Sequence, residues 1–487
     1  MEGDRKFAPL VSSHATSFAT HSSHKDFLMS TPMVRKIVGD RSCHSLVELN
    51  DVCHVFATVV PRSGNTLREQ VRDALEGIAA VMSAEGAAGA VIHQAVFLAD
   101  GESMAACRHI VRDFYGCDVP ATSYIPQPPC EGKLVAIEAM GLGRGRENVE
   151  IERISDQVVV THQNGVAWVY ADHAVPRTSA TGVYEKTICS YQHLRRLLPG
   201  AGARFDQVLR TWLSLGGIVD DDGPTQRYKE LNRARADVYQ HVPFLTDRLP
   251  EGYTGPAFPA STGIGTAGRS LSLSALAVVS DDDSVVAVPL ENPRQTAAYA
   301  YSTTYSPTSP KFSRGLALCC GEDTTLFISG TASITNSETR HVGDVVAQTH
   351  ETLENITALI SEANLSRHGL PGRGTTLEGI GVARVYVKRP EDHAKVRQVC
   401  EQRLGGVPAS YVVADVCRPD LLVEIEGIAF SHQAQAALSR VPLRRCAGRT
   451  SACAECGGRA PYCPDTCPER FLCPNAVLPE SPRGESQ

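Results

Sequence analysis

The sequence lacks three features that would place the protein in a membrane, outside the cell or on a nucleic acid. No apolar run approaches the ~20 residues that a membrane-spanning helix requires, and the amino terminus shows no signal-peptide pattern. Lysine and arginine together number 47 against 54 acidic residues, so no excess of basic charge indicates nucleic-acid binding. These absences predict a cytoplasmic protein whose partners include neither membranes nor nucleic acids.

Cysteine is present sixteen times, yet the spacing shows no repeating disulfide framework. Ten cysteines are scattered through the main part of the chain, which is typical of reduced thiols in the cytosol. The other six lie in the last 42 residues. Four of these thiolates suffice for a structural zinc site, and the alternative is a flexible tail with free cysteines. The candidate zinc ligands are Cys453, Cys456, Cys463 and Cys467.

One cassette occurs three times along the chain. Amphipathic helices are predicted to begin near Gln70, Lys186 and Gln348, because apolar residues recur there at helical spacing. Each helix is followed by a strand, a second helix and a closing strand, so the predicted unit is strand, helix, strand, helix, strand. A Pro-Ala turn precedes each closing strand, at 120–122, 259–261 and 408–410.

The repeats predict three domains and two terminal segments. At ~150 residues per domain, the 487 residues allow three domains, each able to bury its own core. A segment rich in Ser, Thr and His, without sustained periodicity, is predicted to be disordered. The predicted boundaries are 1–50 for this segment, 51–150, 151–290 and 291–435 for the three units, and 436–487 for the cysteine-rich tail.

The third unit contains LFISGTASI, QTHETLENI, VPAS and LLVEIEGIA in that order. In these motifs the cassette resembles the Rid family, also called YjgF, whose members are small trimeric proteins with ligand clefts between subunits. The resemblance implies an α+β fold of three tandem Rid-like (chorismate-mutase-like) units, in which one monomeric chain forms a pseudo-trimer. Rid imine deaminases place a carboxylate-binding arginine directly after the Pro-Ala turn. Here Thr122, Ser261 and Ser410 stand there, and none can replace a guanidinium.

Residues 235–426 carry several long motifs in a fixed order. They are RYKELNRAR, which ends at Arg235, then FPASTGIG, ENPRQTAAYAYSTTYSPTSPKFSRG, SGTASI and CRPDLLVEIEG. This stretch resembles the chorismatase family, enzymes built from two Rid-like units that remove the enolpyruvyl group of chorismate. The additional amino-terminal unit and the cysteine-rich tail depart from that pattern.

The chorismatase resemblance implies roles for seven residues and requires no metal or organic cofactor for catalysis. Glu424 is implied to be the proton donor. The other six are Arg235 and Arg314 as carboxylate ligands, Tyr299 and Tyr305 as pocket hydroxyls, and Ala332 and Cys417 as walls that shape the product.

Glu424 is also the residue in which the third unit differs from the other two. Alternation along the closing strand places it on the same face as Glu426. The positions equivalent to Glu424 are Ala136 and Ser272, whereas Glu426 has an acidic counterpart in Glu138. A carboxylate in so apolar a strand must be paired or protonated. Glu426 is therefore interpreted as a shared structural acid, and Glu424 as the specialised one.

The arginines and tyrosines are less distinctive by themselves. Arg235 lies on a predicted helix, where arginines are usually solvated, whereas Arg314 opens the first strand of the third unit, where an inward charge is unexpected. Of Tyr299, Tyr301 and Tyr305, two are expected to line the cleft, although all three could equally cover an edge of the core.

The predicted function is a chorismatase-like hydrolase that releases pyruvate from chorismate or a related cyclic enolpyruvyl ether by general acid catalysis. Its product stays open between a hydroxybenzoate and a dihydroxycyclohexadiene carboxylate, because Ala332 resembles one product type and Cys417 the other. The alternative is a catalytically silent Rid-like scaffold that binds a small carboxylate metabolite or a partner protein. Loss of the three family arginines favours the scaffold, and the single Glu424 favours the enzyme.

Overall fold

The computed structural model of the protein describes residues 33–39, 42–146, 149–301 and 308–433. None of the helices in these ranges is long and apolar enough to cross a bilayer. Several predictions lie outside the described residues: the segment before Met33, the pocket tyrosine Tyr305 and the zinc ligands Cys453, Cys456, Cys463 and Cys467.

The first sheet begins within the segment predicted to be disordered, so that prediction is wrong for residues 34–38 and 43–49. Asn50 and Asp51 both have positive φ, of 46° and 66°, and form the tight turn of a hairpin whose side chains Leu46 and Val47 are buried. The elements of this unit are β1 (Val34–Val38), β2 (Cys43–Leu49), β3 (Val52–Val59), α1 (Leu67–Ala84), β4 (Val91–Leu98), α2 (Met104–Tyr115), β5 (Ala121–Ile125) and β6 (Val135–Leu142).

The second unit contributes another six-stranded sheet and a two-stranded ribbon. Its elements are β7 (Glu150–Arg153), β8 (Val158–Gln163), β9 (Val166–Ala174), α3 (Val183–Leu197), β10 (Val208–Gly216), β11 (Asp221–Asp222), β12 (Thr225–Gln226), α4 (Arg227–Tyr239), β13 (Ala260–Thr266) and β14 (Leu271–Ser280).

The third unit begins before residue 291, because its first strand pairs with its second at residues 286–290. Its elements are β15 (Val286–Leu290), β16 (Gly315–Cys320), β17 (Asp323–Ala332), β18 (Ile334–Thr335), β19 (Glu338–Thr339), α5 (Val345–Ile360), α6 (Glu362–Arg367), β20 (Ile380–Val387), α7 (His393–Leu404), β21 (Ala409–Val413) and β22 (Val423–His432). Arg314 consequently precedes the second strand of this sheet and not the first.

All three six-stranded sheets share one strand order. The orders are β1-β2-β3-β6-β4-β5, β7-β8-β9-β14-β10-β13 and β15-β16-β17-β22-β20-β21. Each sheet is antiparallel except for its last pair, β4/β5, β10/β13 or β20/β21, which is parallel. Parallel neighbours need a crossover, and α2, α4 and α7 provide it. The five-element cassette predicted from the sequence therefore omitted the leading strands of each sheet.

The Pro-Ala motifs were predicted to be turns, and this prediction is wrong. They are the starts of these parallel edge strands. Ala121, Ala260 and Ala409 are the first residues of β5, β13 and β21. Proline is tolerated immediately before an edge strand, because its missing N–H removes no ladder hydrogen bond there.

The three predicted amphipathic helices are present, and each starts three residues earlier than its pattern. Helix α1 begins with a capping box in which Thr66 and Glu69 satisfy each other's backbone N–H groups. Its apolar stripe, including Val71, Leu75 and Ile78, is buried against the first sheet. Asp344 caps α5 by accepting a hydrogen bond from the N–H of Ala347.

Each parallel edge strand bonds to the next sheet. The Ser123 hydroxyl on β5 donates to Asp172 Oδ1 on β9 at 2.6 Å. The N–H of Ser261 on β13 donates to Ser329 Oγ on β17 at 2.8 Å. The N–H of Val413 on β21 donates to the carbonyl of Pro128 in the first unit at 2.7 Å. The contacts thus run from the first sheet to the second, to the third and back to the first.

A buried ion network joins the inner faces of the sheets. Arg384 contacts Glu138 at 2.7 Å and Glu426 at 3.2 Å, and Arg210 contacts Glu426 at 2.6 Å. The Glu426 carboxylate also accepts hydrogen bonds from Trp212 Nε1 and from the Tyr386 hydroxyl, both at 3.0 Å. Two acids and two arginines balance one another, as buried charges must. Glu426 is thus a core acid with every oxygen bonded.

Candidate active site between the second and third sheets

A cavity of about 500 Å³ lies between the second and third sheets. Helix α4 and strand β13 supply one side of it, and β17, β22 and the loops next to them supply the other. Five of the seven residues that the chorismatase resemblance implicates line this cavity: Arg235, Arg314, Ala332, Cys417 and Glu424.

The structure places Tyr301 in the cavity wall and Tyr299 outside it. The Tyr301 hydroxyl receives a hydrogen bond from Arg314 Nη2 at 2.5 Å. The Tyr299 ring packs instead against Phe258, with the ring centroids 5.8 Å apart. A short 3₁₀ turn at Ala298–Ala300 separates the directions of the two side chains. No period runs through such a loop, so the sequence could not choose between the two tyrosines.

Glu424 lies on β22, opposite Ala332 on β17 and Tyr386 on β20. Its side chain is buried, and no hydrogen bond reaches its carboxyl from the residues that the structure describes. Gly330 makes room for this carboxyl: a Cβ atom there would lie 2.1 Å from Glu424 Oε1 and 3.0 Å from Thr262 Cγ2. The glycine of the SGTASI motif is therefore required by the position of the acid.

Burial raises the pKa of Glu424 to about 8, and the nearby Glu426 acts in the same direction. Arg314 and Arg210 oppose this rise without cancelling it. At neutral pH the carboxyl is therefore protonated and able to donate a proton. Burial likewise raises the pKa of the Cys417 thiol to about 12, so this wall residue is neutral and is not a thiolate nucleophile.

Arg235 is 1% exposed, although helical arginines are usually solvated. Its Nη2 donates to Asn232 Oδ1 at 2.6 Å and its Nη1 to Ser261 Oγ at 3.3 Å. Ser261 occupies the position at which the Rid resemblance expects an arginine. Helix α4 thus brings a guanidinium to the place where the strand lacks one.

Arg314 is also buried, and it bonds to the carbonyl of Thr296 at 2.9 Å in addition to Tyr301. Within the described residues, neither Arg314 nor Arg235 has a carboxylate partner, and the Nε–H of each has no acceptor. The Phe312 ring lies near both guanidiniums, 5.5 Å from Arg314 Cζ and 5.4 Å from Arg235 Cζ. Burial raises the pKa of the neighbouring Glu291 carboxyl to about 7, and Arg314 opposes that rise. Buried cations that form no salt bridge are costly, and an anionic ligand would add the missing negative charge.

Sequence reasoning did not identify Asn232, Thr262, Gly330 or Phe312 as parts of the site. Asn232 lies three residues before Arg235, so helical spacing could have indicated that the two side chains meet. Thr262 bonds to the N–H of Gly330 at 2.9 Å from another sheet, and nothing local in the sequence signals that contact.

Two curated relatives are similar in sequence to about half of this chain. A 3-hydroxybenzoate synthase of Streptomyces hygroscopicus is 37% identical over 259 residues, which cover 52% of this chain and 72% of the relative. A chorismatase of the same organism is 37% identical over 273 residues, covering 54% of this chain and 74% of the relative. The chain belongs to the chorismatase family.

The wider similarities agree with an α+β, Rid-like fold for this chorismatase-family chain. The model of the endoribonuclease L-PSP family matches residues 306–431. A RutC family protein of Pyrococcus abyssi is 31% identical over 109 residues, covering 22% of this chain and 77% of that protein.

A crystal structure of a chorismatase superimposes with a TM-score of 0.57 at 23% identity and covers 78% of this chain and 99% of its own. The shared chorismatase fold therefore extends beyond the half of the chain that matches in sequence.

Proposed function

We propose that this chorismatase-family protein releases pyruvate from chorismate, or from a related cyclic enolpyruvyl ether, by general acid catalysis. One observation carries the proposal: a buried carboxyl that is protonated at neutral pH shares a cavity with two buried arginines that form no salt bridge with the described residues and whose Nε–H groups have no acceptor there. The names of the relatives, chorismatase and 3-hydroxybenzoate synthase, supply the substrate class.

Charge complementarity supports a substrate with two carboxylates. Arg235 and Arg314 together bring two positive charges into the cavity, and each has an Nε–H available for a charge-assisted hydrogen bond. Phe312 offers an apolar ring between them for the carbocycle. The cavity, at about 500 Å³, falls in the range of small-molecule sites.

The proposed reaction begins when the Glu424 carboxyl transfers its proton to the methylene carbon of the enolpyruvyl double bond. The electron pair of that double bond forms the new C–H bond, which leaves an oxocarbenium ion beside the new Glu424 carboxylate. Water, or a hydroxyl of the substrate itself, adds to this cation and returns a proton to Glu424. After addition of water, collapse of the hemiketal breaks the ether bond and releases pyruvate and the ring diol. After addition of the ring hydroxyl, the cyclic ketal releases pyruvate when two bonds break: the bond from the ketal carbon to the original ether oxygen, and the bond from the ring carbon to the added oxygen, which becomes the keto oxygen of pyruvate. The ring then loses a C–H proton, the remaining ring oxygen takes up a proton, and the product is the hydroxybenzoate. A carboxylic acid supplies the only proton needed, so the proposal requires no cofactor.

The proposed assembly is a cytoplasmic monomer whose three Rid-like units form a pseudo-trimer around a central core. Support comes from the common strand order of the three sheets and from the hydrogen bonds that link each edge strand to the next sheet. Sedimentation should give the mass of one chain, and an obligate trimer of whole chains would contradict the proposal.

The direct test is to incubate the purified chain with chorismate and to follow pyruvate with a coupled dehydrogenase. One pyruvate per chorismate consumed is the expected result, and chromatography of the ring product decides between the hydroxybenzoate and the dihydroxycyclohexadiene carboxylate. Chorismate that binds without forming pyruvate would favour the silent scaffold.

The pH dependence of turnover should report Glu424 in its acid form. Because the protonated carboxyl is the active species and its pKa is about 8, kcat/KM is expected to stay level below that pH and to fall about tenfold per unit above it. A bound dianion offsets the arginine charges that lower this pKa, so the fall in kcat should lie at higher pH. A rate that rises through pH ~8 would instead make Glu424 a base.

Gly330→Ala should displace the Glu424 carboxyl, because the added Cβ would lie 2.1 Å from Oε1. A misplacement of about 1 Å can cost ~10²-fold in rate, so kcat is expected to fall by about that factor while circular dichroism stays unchanged. Gly200→Ala is the matched control, since nothing lies within 4 Å of a Cβ there. Full activity of Gly330→Ala would refute the geometric role of the glycine.

A further inference from the structure

A second cavity, of about 390 Å³, lies between α2 of the first unit and the end of β9 in the second. It occupies the counterpart of the active-site position one sheet earlier. Helices α2 and α4 are both the crossover before a parallel edge strand, and β9 and β17 are both the third strand of their sheet. Like the active-site cavity, this α2–β9 cavity is therefore lined by a crossover helix and the next unit's third strand.

The side chains that line the α2–β9 cavity include two arginines and one acid, Glu102, and both arginines pair with a second acid, Asp156. Arg108 and Arg112 line it from α2, and each donates two hydrogen bonds, of 2.7 and 3.0 Å, to the same atom, Asp156 Oδ2. One carboxylate oxygen thus accepts hydrogen bonds from both guanidiniums. His109 also lines the cavity, as does Glu102, an exposed acid. Both arginines keep exposed N–H groups, with side chains 35% and 50% exposed.

His173 lines the same cavity from β9 in an unusual conformation. Its φ is 54°, in the left-handed region that a non-glycine residue adopts at a cost. Its backbone is fixed there by hydrogen bonds from its N–H to Ser274 Oγ at 3.2 Å and from Gln157 Nε2 to its carbonyl at 2.9 Å. The residue is 8% exposed, and its Nδ1, a buried atom, has no partner among the described residues. Backbone strain of this kind is common at ligand sites, and here it places the imidazole of His173 in the cavity lining.

We propose that the α2–β9 cavity is a second binding site, which takes a small oxyanion, a phosphate or carboxylate group, on Arg108, Arg112 and His173. The arginines provide forked, charge-assisted donors. Neutral His173 provides a hydrogen-bond donor, since burial lowers the pKa of its ring to about 4. Asp156 competes with the bound anion for the N–H donors of the two arginines, and it also holds these arginines in place.

The test is a calorimetric titration of the full chain at low ionic strength with inorganic phosphate and, separately, with succinate. Both anions could also bind at Arg235 and Arg314, so the titration uses the Arg235→Met/Arg314→Met chain, in which the active-site cavity has lost both of these arginines and the α2–β9 cavity keeps its own. Saturable one-site binding of either anion is expected, and which anion binds identifies the oxyanion class. No saturable binding of either would overturn the proposal.

Two substitutions should move this affinity in opposite directions. Arg112→Gln removes a charge-assisted contact and is expected to weaken binding at least tenfold, while Asp156→Asn removes the competing charge and should tighten it. Arg72→Gln, on the exposed side of α1, is the matched control and should change nothing. Unchanged affinity in Arg112→Gln would contradict the role of Arg112 as an anion ligand, and weaker binding in Asp156→Asn would contradict the role of Asp156 as a competitor.

Discussion

Glu424→Gln is expected to lower turnover of chorismate by 10²- to 10⁴-fold, the usual loss when a general acid is removed. Glutamine keeps the size and hydrogen-bonding capacity of the side chain but has no transferable proton. Substrate affinity should survive, because the carboxylates of the substrate are expected to contact Arg235 and Arg314. Stopped-time pyruvate assays give the rate, and calorimetry with chorismate gives the affinity.

The choice of control for this experiment follows from the structure. By sequence, Glu138 is a natural control, since it lies on the equivalent strand of the first unit. In the structure, however, Glu138 forms three hydrogen bonds of 2.7 to 3.1 Å with buried Arg384, so Glu138→Gln would disturb the core. Glu354→Gln, at a 45% exposed position paired with Arg403, is the better control. Wild-type turnover by Glu424→Gln would leave the binding scaffold as the better explanation.

Replacing either cavity arginine with methionine should raise KM for chorismate by about 10- to 150-fold, the equivalent of one charge-assisted hydrogen bond of 1.5–3 kcal/mol. The variants are Arg235→Met and Arg314→Met, measured separately, with kcat expected to change less than KM. Arg233→Met, on the same helix at a 49% exposed position, is the matched control for Arg235. An unchanged KM in both cavity variants would refute the carboxylate-binding role.

The same variants should not lose stability in the absence of substrate. Arg235 and Arg314 are buried cations that form no salt bridge with the described residues, and an apolar side chain of similar length removes the cost of burying the charge. Arg210→Met is the informative contrast, because it strips Glu426 of a partner at 2.6 Å and should cost about 3–5 kcal/mol of unfolding free energy. Urea unfolding of the three variants makes the comparison. A large loss in Arg235→Met would mean that its charge is balanced within the protein.

The sequence by itself determined the features that depend on local pattern. Helical spacing predicted α1, α3 and α5, because an amphipathic helix repeats its apolar positions every turn. Comparison of the three cassettes singled out Glu424, since its counterparts are Ala136 and Ser272, and the alternation rule placed it on the face of Glu426. The ordered motifs between Arg235 and Glu426 indicated the chorismatase family before any contact was known.

Only the tertiary structure decided which of these residues meet, because their contacts join segments far apart in the chain. It showed that Arg235 is buried, that Tyr301 and not Tyr299 contacts Arg314, and that Gly330 must lack a side chain beside Glu424. The tertiary structure also sets the pKa of Glu424, because this pKa depends on desolvation by two sheets and on charges from both. Residues 34–38 and 43–49 form strands for the same reason: pairing with neighbouring strands stabilises them, and no local periodicity predicts it.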